Sequence, residues 1–291
     1  MSEELDESSD PSNTSDLVET IERNPFRRAA PGLTRVRMHV SYDGTDFAGW
    51  QRQRKQTHVA TVQGTLETVL SKIADQEIKV IGASRTDAGV HAVQQVAHFD
   101  WPKDPSGWDF RYAIQCMTPK SLVVKDLFLA PPDFHAIAVV TDKIYKYRVL
   151  NRVVPSALRH RYTHWWRHPL DLDFLNECSQ FVIGQHDFKA FQSAGTEVLT
   201  TVRSVHEARW TRESEDILEF TIRGDGFLKQ MVRNIVGTVI DLYMNGHPPD
   251  QIKAIMATLD RRKAGPTAPP QGLFLERVNY PEAVDIKCRK L

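Results

Sequence analysis

The alternation of apolar and polar side chains that begins at Thr34 limits the fold of this chain more than any other feature of its sequence. Apolar residues occupy every second position of Val36–Tyr42, and polar or charged residues fill the positions between them. A side-chain period of two is typical of a β-strand with one buried face. Because the turn signal Asp43-Gly44 ends the run, we predict a half-buried strand that leads into a loop.

The rest of the chain groups short strands around single helices. Apolar residues spaced by three and four positions from Val62 to Ile73 predict an amphipathic helix. Further strands are expected near residues 78–83, 94–99, 143–149, 165–166, 204–210 and 217–223, and further helices near residues 173–183 and 227–243. Strands and helices that do not strictly alternate favour an α+β fold with a largely antiparallel sheet.

Length and composition exclude several classes of protein. The 291 residues are 41% hydrophobic, which is enough for a folded core of one large or two modest domains. No apolar run approaches the roughly 18 to 20 residues of a membrane span, and the start lacks a secretory signal, so we predict a cytoplasmic protein. The three cysteines are too few and too far apart for a disulfide framework or a zinc module.

The formal net charge of zero conceals two regions of opposite charge. Residues 1–22 contain eight acidic residues and no Lys or Arg, so residues 23–291 hold 29 acidic and 37 basic residues, a net charge of about +8. A basic body suits an anionic partner, although such an excess is also common on ordinary solvated surfaces. The acidic start has too few apolar residues to offset the entropy of ordering, and we predict a disordered tail over residues 1–32.

The segment Ser-Arg-Thr-Asp-Ala-Gly-Val-His, residues 84–91, brings a guanidinium, a carboxylate and a glycine into one predicted loop between strands. Asp87 in that loop can attack a sugar carbon or accept a proton, and Arg85 can hold a phosphate or fill the space of a displaced base. By spacing alone, the run Thr-Asp-Ala-Gly is more typical of an ordinary Asx turn without chemistry.

This octet resembles the signature of the TruA family of tRNA pseudouridine synthases almost letter for letter. Other blocks resemble that family in the same order, namely residues 42–51, 62–67, 134–136, 143–147, 184–191, 227–237 and 268–273. Three features depart from it: residues 113–119 lack the usual Asn and Leu, Ser84 stands where the family often has Gly, and the acidic tail has no counterpart.

The resemblance implies a fold and an activity. The fold would be two similar α+β halves, residues 33–140 and 141–291, whose mainly antiparallel sheets join into one platform with the active-site cleft between them. The activity would be isomerisation of uridine to pseudouridine on the 3′ side of the anticodon stem-loop of tRNA, by a homodimer and with no metal or organic cofactor.

The resemblance also implies roles for particular residues. Asp87 would be the catalytic carboxylate, and attack at C1′ or proton abstraction at C2′ both remain open. Arg85 would stabilise the flipped nucleotide and its phosphate. Tyr145 is the better match to the family's active-site tyrosine, with Tyr147 on the same strand face as the alternative. Arg233, at the edge of the apolar arc of its helix, would pair with Asp87.

Two further groups of residues are candidates from their chemistry. Five basic residues are predicted to track RNA phosphates, although each alone also suits a solvated face: Arg52, Arg54, Lys55, Lys143 and Lys146. Histidines 160, 164 and 168 have the spacing of a metal site on a helix, but their surroundings read as a strand, so no metal site is predicted. The rival functions are a non-catalytic RNA-binding module on the same scaffold and a metal-dependent hydrolase that uses those histidines.

Overall fold

A computed structural model of the protein describes residues 28–52, 59–195 and 198–291. Most of the predicted tail, residues 1–32, and the basic residues Arg54 and Lys55 lie outside the described residues. At the start of the described chain, the N–H of Ala29 donates to the carbonyl of Pro132 (2.8 Å). Within the three described ranges, no helix is long and apolar enough to cross a membrane.

Eleven strands of the described chain form one sheet. The strands are β1 (Thr34–Tyr42), β2 (Ile81–Gly82), β3 (His91–Trp101), β4 (Leu122–Leu129), β5 (Asp142–Asn151), β6 (His164–Trp166), β7 (Gly184–Asp187), β8 (Val202–Ser214), β9 (Ile217–Gly224), β10 (Leu273–Asn279) and β11 (Arg289–Lys290). Their order is β11-β4-β1-β3-β10-β5-β9-β8-β7, with β2 beside β3 and β6 beside β5. Apart from the parallel pairs β3–β10 and β5–β6, the pairing is antiparallel.

β10 joins the strands of the first half of the chain to those of the second half. It pairs with β3, where Phe274 lies opposite His91, and with β5, where Leu275 lies opposite Tyr145. Neighbouring strands lie about 4.8 Å apart, so β10 holds β3 and β5 roughly 9.6 Å from each other. The pairing of the strands confirms the prediction of an α+β fold with a mainly antiparallel sheet.

Six α-helices lie in the described part of the chain. They are α1 (Val62–Ala74), α2 (Phe110–Met117), α3 (Leu172–Gln180), α4 (Met231–Met244), α5 (Gln251–Ala257) and α6 (Glu282–Asp285). The side chain of Thr61 caps α1 by accepting from the N–H of Gly64 (3.2 Å), which satisfies one of the free donors of the first turn. The spacing rule over Val62–Ile73 thus predicted α1 correctly.

The apolar face of β1 belongs to the core together with α1. Val36, Met38 and Val40 have no exposed surface, and Leu66 and Leu70 of α1 are equally buried in the same cluster. Truncation of such a fully packed leucine to alanine costs about 2 to 5 kcal/mol. The alternation of apolar and polar residues in β1 therefore predicted correctly which face of the strand lies in the core.

The polar face of β1 is buried too, and the prediction of a half-buried strand is wrong in this respect. Arg35 and Arg37 are only 4% and 5% exposed. Arg35 forms a two-point ion pair with Asp100 (2.8 and 3.0 Å), and Arg37 pairs with Asp285 and lies 4.6 Å from the centre of the Tyr280 ring. These partners come from distant parts of the chain, which a local pattern does not reveal.

Helix α4 begins at Met231, four residues later than the predicted start at Phe227. Gln230 adopts φ 60°, a left-handed conformation that does not continue into a right-handed helix. The ring of Phe227 instead meets the ring of Tyr145 edge-on at 5.1 Å. The strand predicted over residues 78–83 is likewise reduced to Ile81–Gly82.

Candidate active site

Asp87 lies in the loop between β2 and β3, and the buried Gln95 of β3 fixes the start of that loop. The N–H of Ser84 donates to Oε1 of Gln95 (3.2 Å), and Nε2 of Gln95 donates to the carbonyl of Ser84 (2.7 Å). Farther along, the N–H of Trp50 donates to the carbonyl of Thr86 (3.0 Å). These hydrogen bonds hold the backbone of the loop at Ser84 and at Thr86, directly before Asp87. They therefore restrict the orientation in which the loop presents Asp87.

Gly49 allows the first loop of the chain to approach the Asp87 loop. Its φ of 89° lies in the left-handed region, and a Cβ at this position would lie 2.7 Å from the carbonyl oxygen of Thr86. Any other residue would therefore be strained in its backbone and would push the two loops apart.

The carboxylate of Asp87 faces the guanidinium of Arg233. Nη1 of Arg233 lies 3.2 Å from Oδ2 of Asp87, and the side chains are 9% and 27% exposed, respectively. Nε of Arg233 donates to the carbonyl of Ala268 (2.7 Å). An arginine held in this way orients the carboxylate through a charge-assisted hydrogen bond and leaves one of its oxygens available for a substrate.

The segment that follows α5 is packed directly on α4 and supplies that carbonyl. A Cβ on Gly237 would overlap the carbonyl oxygen of Pro266, so only glycine permits the contact. The N–H of Ala268 donates to the carbonyl of Arg233 (3.1 Å). The position of the guanidinium is thus set by α4 and by the segment that crosses it.

The two candidate tyrosines of β5 have different surroundings. The hydroxyl of Tyr145 shares a hydrogen bond with Oγ of Ser84 (2.7 Å), while the hydroxyl of Tyr147 donates to the carbonyl of Pro269 (2.8 Å). Tyr147 has no exposed surface and Tyr145 has 6%. Burial raises the pKa of Tyr145 to about 12, with a contribution from the charge of Asp87, and burial also raises the pKa of Tyr147. Of the two, Tyr145 is the one next to the Asp87 loop.

Arg85 points away from this buried network. Its side chain is exposed, and it forms no hydrogen bond or ion pair with the described residues. A free guanidinium two residues from a fixed carboxylate is available to bind a phosphate or to enter the space of an extruded base.

The structure separates the basic residues that were grouped in the sequence. Lys143 lies on the same face of β5 as Tyr145, whereas Lys146 lies on the opposite face. There Nζ of Lys146 is 2.8 Å from Glu219. Arg52 is exposed and lies 3.8 Å from Glu67. Of the three predicted RNA contacts that are described, Lys146 has a close ion pair, Arg52 has a longer one at an exposed position, and Lys143 has none.

The histidines 160, 164 and 168 do not form a cluster with other ligands. His164 begins β6, as the predicted strand requires, and burial lowers its pKa to about 4. In the described ranges, no group of three or more His, Cys, Asp or Glu side chains has the arrangement of a metal site.

The sequence did not single out Gln95 or the carbonyl of Ala268 as parts of the site. Gln95 lies within a strand that is predicted from its apolar residues, and a backbone carbonyl carries no signal in a sequence. Ser84 had a signal, because it departs from the usual glycine of the similar family, and its hydroxyl contacts Tyr145.

Known proteins resemble this chain over most of its length. Residues 38–122 and 179–281 match the model of a family described as tRNA pseudouridine synthase. A tRNA pseudouridine synthase A of Bdellovibrio bacteriovorus is 45% identical over 261 residues, which cover 89% of this chain and 99% of that protein. The proteins of the same name from Acetivibrio thermocellus and Lactococcus lactis are both 38% identical, over 85% and 87% of this chain and the whole of each relative.

Proposed function

Because this chain belongs to the tRNA pseudouridine synthase family, and is therefore an isomerase that acts on tRNA, we propose that Asp87 is its catalytic carboxylate. The observation that carries the proposal is the ion pair between Asp87 and the buried Arg233, which lies next to the aromatic ring of Tyr145. This combination orients a carboxylate beside an aromatic ring on which a base can stack.

In the proposed reaction, the N1–C1′ bond of the uridine breaks, the uracil turns, and C5 bonds to C1′. The C5 hydrogen leaves as a proton and N1 gains one, so no oxidant or reductant is consumed. Asp87 either attacks C1′ as a nucleophile or accepts the proton from C2′. The same geometry supports both routes, since each requires an ionised carboxylate on the sugar side of the base.

Arg85 and Tyr145 are proposed to hold the nucleotide out of its stem. Arg85 is exposed and has no ion pair with the described residues, so its guanidinium can bind the phosphate or occupy the vacated position. The ring of Tyr145 is fixed from the side by Phe227 and would stack on the uracil. The fully buried Tyr147 is then a structural residue.

The substrate region and the assembly are also part of the proposal. By resemblance to the family, we infer a target on the 3′ side of the anticodon stem and loop, a homodimer as the working form, and the cytoplasm as its location. Arg52 and Lys143 would contact RNA phosphates, together with Arg54 and Lys55. Lys146 is left out, since it is paired with Glu219 on the other face of the sheet.

The test is release of tritium from tRNA that contains [5-³H]uridine, because the C5 hydrogen leaves when C5 bonds to the sugar. We expect release by the purified protein without added nucleotide and in the presence of EDTA. The matched control is Asp133→Asn, a change at an exposed aspartate, which should release tritium as the unchanged protein does. Loss of all activity in EDTA, restored by zinc under conditions where the tRNA stays folded, would contradict the proposal.

A further inference from the structure

Two cations on the site face of the sheet have no carboxylate partner in the described part of the chain. Lys143 of β5 forms no hydrogen bond or ion pair there. Among the described residues, Nη1 of Arg203, on β8, donates only to the carbonyls of Thr200 (2.9 Å) and Val202 (2.6 Å). Both side chains are half-buried. Cations withdrawn from water are unfavourable unless an anion compensates them.

The sheet register brings these two cations together. Lys143 lies opposite Gly224 of β9, and Gly224 lies opposite Val205 of β8. Arg203 is two residues before Val205, so its side chain projects from the same face. Lys143 and Arg203 thus flank a strand position that has no side chain, on the face that also carries Tyr145.

The electrostatics of Lys143 reflect this proximity. Desolvation and then the charge of Arg203 lower the pKa of Lys143 to about 8, and the charge of Asp225 offsets only part of this effect. The ammonium group is therefore destabilised by a neighbouring cation. One anion bound between the two groups would relieve both.

The cation pair adjoins the proposed uridine site. Lys143 is two residues from Tyr145 on one strand face, a separation of roughly 6.6 Å. The ring of Phe227 contacts Tyr145 and lies 3.4 Å from the position that a Cβ on Gly224 would take. An apolar wall therefore connects the ring that would stack on uracil with the place where the cations meet.

We propose that Lys143 and Arg203 together bind one phosphate of the RNA backbone, adjacent to the nucleotide that contacts Tyr145. This inference rests on the proposed function and adds to it a defined phosphate site. The fork of a guanidinium and the point charge of an ammonium are the two donors that proteins use for phosphate. Because backbone carbonyls already hold the guanidinium, little entropy is lost on binding.

The experiment measures the affinity of full-length protein for tRNA over a salt series, in an Asp87→Asn background so that the RNA is not converted. Arg203→Gln and Lys143→Gln should each weaken binding roughly tenfold at 0.1 M salt and lower the slope of log affinity against log salt by about one. The double variant should lose little more, because both side chains bind the same phosphate. A slope lowered by about two would show two separate phosphates and overturn the shared site.

Arg203→Lys separates charge from structure. It keeps the cation and loses the guanidinium bonds to the carbonyls of Thr200 and Val202, so its salt slope should equal that of the protein with Arg203. An equal loss in Arg203→Lys and Arg203→Gln would show a structural role and overturn the proposal. The matched control is Arg209→Gln, at an exposed arginine of the same strand that pairs with Glu207 (3.4 Å), with affinity expected within twofold.

A neutral methylphosphonate linkage on either side of the target uridine locates the phosphate. At one of the two positions it should weaken binding of the Arg203 protein and leave binding of the Arg203→Gln variant unchanged. Equal weakening in both proteins at both positions would overturn the proposal. Failure of the proposed function would appear differently, as tritium release that survives Asp87→Asn. The binding measurements would still test the phosphate site in that case, because they do not depend on turnover.

Discussion

The two faces of the central sheet use charge in opposite ways. On the face away from Asp87, the buried and half-buried cations of β1 and β5 have carboxylate partners: Arg35 pairs with Asp100, Arg37 with Asp285, and Lys146 and Arg148 with Glu219. On the face of Asp87, Arg233 is paired with Asp87, while Arg85, Lys143 and Arg203 have no acidic partner among the described residues. The paired cations are compensated within the protein, and the difference supports the proposal that the unpaired cations bind the phosphates of the RNA.

The largest expected effect is that of Asp87→Asn, which should abolish turnover. The amide keeps the shape of the side chain and loses the nucleophile or base. The affinity for tRNA should stay within a few-fold, because binding depends on the unpaired cations. Tritium release and tRNA affinity are the two measurements, and turnover at a tenth of the normal rate would show that Asp87 is not catalytic.

The tyrosines of the site face come next. Tyr145→Ala should lower kcat by about 100-fold and Tyr145→Phe by less, because the phenyl ring preserves stacking. Tyr147→Phe removes one buried hydrogen bond, to Pro269, and should cost about 1 kcal/mol of stability with little change in rate. Single-turnover rates and thermal unfolding distinguish these outcomes. A greater loss of rate in Tyr147→Phe than in Tyr145→Phe would show that Tyr147 is the active-site tyrosine and Tyr145 the structural one.

A direct comparison of the two faces is Lys143→Gln against Lys146→Gln, two changes of the same kind on one strand. Loss of the unpaired Lys143 should weaken tRNA binding roughly tenfold at 0.1 M salt. Loss of Lys146, which is paired with Glu219, should change it less than twofold. Equal losses in a binding titration would remove the distinction between the faces.

The affinity for tRNA should fall as the pH rises through about 8, the pKa of Lys143. The free protein carries the charge on Lys143 below this pH, and a bound phosphate favours the charged form, so binding is strongest below pH 8 and weakens above it. The charged groups that face Lys143 are Arg203 and Asp225. The loss up to pH 9 is limited to about tenfold, and Lys143→Arg should abolish the pH dependence.

The smallest effect is expected at the acidic tail, whose eight acidic residues can compete with RNA for the basic face. Deletion of residues 1–24 should tighten binding of non-cognate RNA a few-fold at low salt and affect cognate tRNA less. The gain should fade as the Debye length falls from about 10 Å at 0.1 M salt to 3 Å at 1 M. Identical salt curves for the full and shortened proteins would show that the tail has no part in binding.

Much of this arrangement was predictable from local patterns. The alternation from Thr34 predicted β1, the three-and-four spacing predicted α1, and the octet around Asp87 predicted a loop. The alternation of side chains along β5 likewise places Lys146 and Tyr145 on opposite faces of the sheet. In contrast, the burial of Arg35 and Arg37 depends on partners 65 and 248 residues away in the chain, and the start of α4 depends on the left-handed Gln230. The partners of Arg35 and Arg37 are tertiary contacts, which leave no local pattern in the sequence.

The place of β10 in the sheet has a consequence for biosynthesis. The ribosome makes β10 after β3 and β5, yet it is the strand that lies between them and determines their distance. Until residues 273–279 have been added, the Asp87 loop and Tyr145 belong to two sheets with no strand to join them. We therefore expect the proposed site to form only after residues 273–279 have left the ribosome.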